Sequence, residues 1–243
     1  MFRLIIMVLF FISSFLITMT AELVPFNNRT ATEIMNRLPV ILVPANYVFI
    51  IWIITFLFLG FWIYGFYRQK VQQSQKTLSF QSVLFCASLI LNSLFILLWH
   101  YEYFFAAVAI TVVLLVMISI LYFTYPKTEN QFYGRLPISL YLGWIVFSFM
   151  FLSNYTLTLI AWSGWGISQT LWAVIFLTIV TAIGLHLLYH HNDFAFNLVI
   201  IWGFIGIAVK NGFDSLFVST ACLFLSAVII ACFFIFNQKR STI

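Results

Sequence analysis

His186 and His190 stand four residues apart in one apolar segment, with His191 and Asp193 just beyond. Imidazoles at i and i+4 share a helix face, a spacing that suits a divalent metal. No cysteine or second carboxylate is at hand to complete such a ligand set, and interfacial histidines commonly snorkel. Lys210 invites a Schiff base, yet it ends an apolar segment that offers no Asp or Glu at mid-depth as counter-ion. The six carboxylates are scattered over the connections between apolar runs, none of them where an intramembrane proton relay needs one. A Gly-rich phosphate loop, a Ser/His/Asp order and a zinc motif are all missing. The expectation is a chain without metal, cofactor or catalytic group, one that is not an enzyme.

Binding chemistry is better represented. Eight tryptophans occur. Trp99, Trp162 and Trp165 fall at the outer ends of apolar runs, where indoles anchor at the headgroup level, and Trp62 has the same reading toward the inner side. Trp52, Trp144 and Trp202 lie deeper. A buried indole needs a partner for its N–H and offers a flat face to an aromatic guest. Among intramembrane polar groups, Asn92 lies mid-segment, with Asn154, His186 and Asn197 nearer the ends. An amide in lipid must bond, so Asn92 either joins helices or lines a cavity.

These residues need elements to hold them, and the composition says which. Of 243 residues 64% are hydrophobic, 20% aromatic and only 7% charged, a balance that no water-facing surface tolerates. Apolar runs cover roughly residues 2–20, 45–67, 79–99, 102–124, 137–161, 168–189, 194–209 and 214–236, most of them near the ~20 residues that span a bilayer core. Lipid leaves only helices or closed barrels, and runs this continuous lack the alternation of a barrel. The fold class is therefore all-α, a polytopic transmembrane bundle of about eight spans.

Charge supports the count. With the N-terminus inside, Arg3, Arg68, Lys70, Lys76, Lys127, Arg135, Lys239 and Arg240 share one side, and Arg29, Arg37 and Lys210 the other. With the carboxylates included, the sides carry +6 and −1, matching the overall +5. That asymmetry obeys the positive-inside rule with both termini cytoplasmic, so the basic balance is a topology signal and not a nucleic-acid signal. Met1–Thr20 is expected to stay as the first span, being longer than a usual signal core. Cys86, Cys222 and Cys232 read as small apolar fillers. The Phe-, Ile- and Asn-rich usage points to a bacterial cell membrane.

Three segments carry a family resemblance. The run Pro44-Ala45-Asn46-Tyr47-Val48-Phe49-Ile50-Ile51-Trp52-Ile53-Ile54-Thr55-Phe56, with Gly60 beyond, resembles the second-helix motif of the TspO/MBR family, the tryptophan-rich sensory proteins. Leu91-Asn92 with Trp99 resembles the third-helix Leu-Asn motif, and Leu140-Tyr141-Leu142-Gly143-Trp144 the fifth-helix Pro-Tyr-Leu-x-Trp. Order and spacing match over residues 1–158. Ala45, Tyr47, Phe56 and Leu140 depart from the family's proline, tryptophan, tyrosine and proline. The resemblance implies a five-helix bundle over residues 1–160, open toward the loop at 21–44, with a three-helix extension over 161–243. It further implies a pocket for flat hydrophobic ligands, porphyrin-like or sterol-like, faced by Tyr47, Phe49, Trp52, Asn92, Tyr141 and Trp144.

The resulting expectation is a membrane binding protein or sensor. Its partners would be the lipid bilayer and a hydrophobic small molecule such as a tetrapyrrole, held between Trp52 and Trp144 with Asn92 at a polar edge; a homodimer is left open. The rivals are a transporter of a neutral or hydrophobic solute and a ligand-free scaffold.

Overall fold

In the computed structural model, residues 2–24, 26–69, 75–126 and 132–241 are described; the side chains of Phe2, Glu22, Gln69, Gln75–Leu78 and Gln238–Ser241 are not. The described residues form helices and connections, with no strand. Nine α-helices follow one another: α1 (Phe2–Leu23), α2 (Ala31–Asn36), α3 (Ile51–Gln69), α4 (Gln75–His100), α5 (Phe104–Phe123), α6 (Arg135–Leu159), α7 (Gln169–His191), α8 (Phe194–Asn211) and α9 (Leu216–Ser241). All but the six-residue α2 are long and apolar enough to cross a membrane, which gives eight candidate spans. The shortest, Phe194–Asn211, has 18 residues, about 27 Å at the helical rise, enough with little tilt. The chain is an integral membrane protein.

The helix ends are written into local chemistry. Thr30 and Glu33 form a reciprocal capping box on α2. Ser168 caps α7 and Asp193 caps α8. Between those two helices Asn192 adopts φ 53°, the left-handed turn that ends α7. The chain does not enter α3 directly from Pro44, because residues Asn46–Ile50 first make a 3-10 turn.

α6 is the most buried span and α1 the most lipid-facing. Tyr141, Trp144, Phe147 and Met150 of α6 are all buried. α8 packs directly against α6, and small residues allow the approach. A Cβ on Gly143 would meet the Phe196 carbonyl at 3.0 Å, and one on Gly203 would lie 2.3 Å from the Phe147 ring. α7 and α8 thus pack against α6, and α9 packs on α7 and α8.

Two charges expected in connections are buried instead. Arg135 and Asp193 are each 0% exposed. Arg135 donates from Nη1 to the Pro126 carbonyl (3.2 Å) and from Nη2 to the His191 carbonyl (2.6 Å), with its guanidinium 5.3 Å from the Tyr122 ring centroid. Asp193 Oδ1 accepts from Ser139 Oγ (2.6 Å) and from the Phe196 N–H (3.0 Å). Together they fasten the ends of α5 and α7 to the starts of α6 and α8. Lys70, Lys127 and Glu129, and the side chains of Glu22, Lys76, Lys239 and Arg240, lie outside the described residues.

Two tryptophans expected in the headgroup belt are buried as well. Trp62 donates from Nε1 to the Tyr125 hydroxyl (2.6 Å) and packs on Phe85. Trp99 lies between Phe104 and Tyr155. Only Trp165, 78% exposed, has the outward placement of an interfacial anchor without reserve; Trp162 is partly covered by Trp165 and Trp172.

Candidate functional site

A partly open cavity of about 590 Å³ lies at one end of the bundle, lined from α1, α2, the 46–50 turn, α3, α4 and α6. Helical spacing accounts for most of its wall. Trp144, Ser148 and Phe151 are four and three residues apart on α6, and Phe95, Trp99 and His100 stand within two turns on α4. The turn contributes Asn46, Tyr47 and Phe49, and α3 adds Trp52 on its first turn. Thr18 and Ala21 of α1 and Met35 of α2 complete the enclosure.

The aromatic walls brace one another. Phe49 meets Trp144 edge to face (5.7 Å, 87°), as does Trp52 (5.7 Å, 75°), while Phe56 stacks on Trp52 from the next turn (5.6 Å, 29°). With Trp52 and Trp144 in direct contact, no slot separates them. The pair forms one wall and not the two separate plates expected of a stacking slot.

Tyr47, Phe49, Trp52 and Trp144 line the cavity, whereas Asn92 and Tyr141 do not. Asn92 is buried and donates from Nδ2 to Ser14 Oγ (3.3 Å), joining α4 to α1. It precedes Phe95 by three residues, and Ser14 precedes Thr18 by four, so both sit about one turn, ~5 Å, below the lining layer. Tyr141 stands behind Trp52 (6.5 Å between rings), its hydroxyl directed to the Ser88 carbonyl (3.4 Å). Sequence reasoning missed the contributions of α1 and α2, Trp99, His100, Ser148 and Phe151. Stepping by four and three from Trp144 would have found Ser148 and Phe151, and the same step from Asn92 leads to Trp99; nothing in the sequence marks the others.

The cavity is electrically quiet: among the described residues, no Asp, Glu, Lys or Arg lines it. The His100 ring is held by backbone, with Nδ1 2.7 Å from the Ile96 carbonyl and Nε2 3.2 Å from that of Ala21. Thr18 gives its hydroxyl to Ser14. Trp144 Nε1 is buried and has no acceptor, and an unmade bond at such a site costs about 1–3 kcal/mol.

Charges gather outside the cavity instead. Arg29 and Arg37 both reach Glu102 Oε1, at 2.7 and 2.9 Å, and Arg37 also reaches Oε2 at 2.9 Å. This clasp ties the 26–37 segment to the α4–α5 turn, and Glu102 holds the Arg37 guanidinium above its ordinary pKa. Exposed pairs of this kind are worth at most about 1 kcal/mol. Glu102→Gln is accordingly expected to leave the melting temperature almost unchanged and to speed amide exchange across 26–37, an effect that high salt should mimic in the wild type. Unchanged exchange in the variant would show that the clasp holds nothing.

His186 and His190 stack 4.5 Å apart on α7, and among the described residues no group of three His, Cys, Asp or Glu is placed to hold a metal ion.

Comparison with known proteins adds one match. The model of a family described as TSPO-like protein covers residues 4–235, running through α7, α8 and most of α9 as well as the first five spans. No curated protein and no solved structure matches the chain.

Proposed function

Because the chain belongs to the TSPO-like protein family, we propose that it is a membrane binding protein, or sensor, for a compact apolar ligand held in the cavity against Trp52 and Trp144. The observation that carries this reading is an aromatic-walled space of about 590 Å³, lined by Phe49, Trp52, Trp99 and Trp144 with no charged side chain among the described residues. Its volume falls in the ~300–1,000 Å³ range of small-molecule sites, whose walls are mostly apolar with a few polar groups that orient the guest. The quiet lining favours an uncharged guest, since a buried carboxylate without a partner is strongly disfavoured. Tetrapyrrole-like and sterol-like molecules remain the classes that the resemblance suggests, with any acidic groups left outside the cavity. The Lys/Arg asymmetry supports cytoplasmic termini in a bacterial membrane, with the cavity at the opposite face.

The test compares protoporphyrin IX dimethyl ester with the free diacid by tryptophan quenching in detergent micelles. The ester should quench saturably, and the diacid should bind about tenfold more weakly or worse. Quenching that rises without saturation, as in empty micelles containing a tryptophan ester, would mean partition into detergent and no site.

A further inference from the structure

The 46–50 turn is the part of the cavity wall with the least support from its own helix. A 3-10 turn has poorer internal bonds than an α-helix; within it the Val48 carbonyl accepts from the Ile51 N–H. Its outward partners come from α8. The Ala45 N–H, at the start of the turn, donates to the Gly206 carbonyl (3.0 Å). Trp202 donates from Nε1 to the Val48 carbonyl (3.1 Å), and its ring meets Tyr47 edge to face (5.3 Å, 82°). A Cβ on Gly206 would lie 2.0 Å from Val48 Cγ2 and 3.3 Å from Pro44 Cβ, so the absence of a side chain is what lets the turn seat on the helix. About one turn further along α8, Asn211 donates from Nδ2 to the Ile41 carbonyl (2.9 Å) and the Lys210 ammonium reaches Asn36 Oδ1. Neither Trp202 nor Gly206 lines the cavity.

We propose that α8 is a clamp on the binding site: Trp202 and Gly206 act as positioning residues that set Tyr47 and Phe49, and with them the affinity of the cavity. This rests on the reading of the cavity as a ligand site. It gives the C-terminal helices a task within that site. A shift of α8 along α6 would move one wall of the cavity without touching the ligand, so whatever packs against α8 and α9 acquires a hold on affinity.

The experiment uses the full chain in detergent with two readouts, amide exchange over residues 41–50 and the dissociation constant for protoporphyrin IX dimethyl ester. Trp202→Phe keeps a ring against Tyr47 and loses the bond to Val48; Gly206→Ala keeps the bonds and displaces Val48. Phe224→Ala, on the exposed side of α9 (65% exposed), is the control. The clamp predicts faster exchange confined to 41–50 and about tenfold weaker binding in both variants, ~1.4 kcal/mol, with the control unchanged. Wild-type affinity in both variants, or unaltered exchange at 41–50, would overturn it. So would exchange raised equally through α7 and α9, which would make Trp202 a general packing residue. Should the wild type itself show no saturable binding, the ligand reading fails and the affinity claim falls with it, while the exchange data still decide whether α8 holds the turn.

Discussion

Replacing both Trp52 and Trp144 by phenylalanine is expected to weaken binding of the neutral porphyrin ester by about thirtyfold while the bundle stays folded. The two indoles form one continuous wall, 5.7 Å apart edge to face. Phenylalanine keeps an aromatic ring at each position, so the core retains most of its buried area. What goes is indole area against the guest. An aromatic contact is worth about 0.5–1.5 kcal/mol beyond area, so two such contacts sum to ~1–3 kcal/mol, centred near thirtyfold in affinity. The two single changes should contribute comparable shares, because both rings line the cavity. Equilibrium titration with an extrinsic readout, the porphyrin's own emission, avoids confusing lost affinity with lost tryptophan signal. Wild-type affinity in the double variant would remove the wall from the account.

The largest effect on stability is expected at the opposite end of the bundle. Asp193→Ala takes away the cap of α8 and the partner of Ser139. It also removes a buried anion from a site shared with the Arg135 cation, both close enough to Tyr122 to interact with it electrostatically. Stranding one charge in such a site is destabilising by about 3–5 kcal/mol. Arg135→Met should behave alike, since it frees the Pro126 and His191 carbonyls and leaves Asp193 uncompensated. Combining the two changes should recover part of the loss, because a neutral apolar pair carries no stranded charge. Thermal unfolding of the four proteins in one detergent measures this; a double variant whose loss equals the sum of the singles would show that the charges do not share a site.

The eight spans were legible in the sequence because lipid imposes a length and leaves the backbone a single solution. Burial around those spans was not. Arg135 and Asp193 look like ordinary connection charges, since hydropathy counts a residue's type and not the carbonyls that fold back over it. Trp62 and Trp99 fall at helix ends, where a belt position is the default, and only their neighbours Phe85 and Tyr155 bring them inside. Tyr47, Phe49, Trp52 and Trp144 could be anticipated from motif and depth. Asn92 shares their motif but sits a turn too deep, with Ser14 as its partner. The clamp by α8 was beyond reach, because Gly206 and Val48 lie 158 positions apart and nothing local announces their contact.

Photo-crosslinking puts the central claim to its most direct test. A neutral apolar probe carrying a diazirine, incubated with the protein in lipid nanodiscs and irradiated, should label peptides containing 46–53, 95–100 and 144–151. Excess protoporphyrin IX dimethyl ester should suppress that labelling. Labels spread over the lipid-facing surfaces of α1, α5 and α9, undiminished by the competitor, would contradict a ligand seated in the cavity.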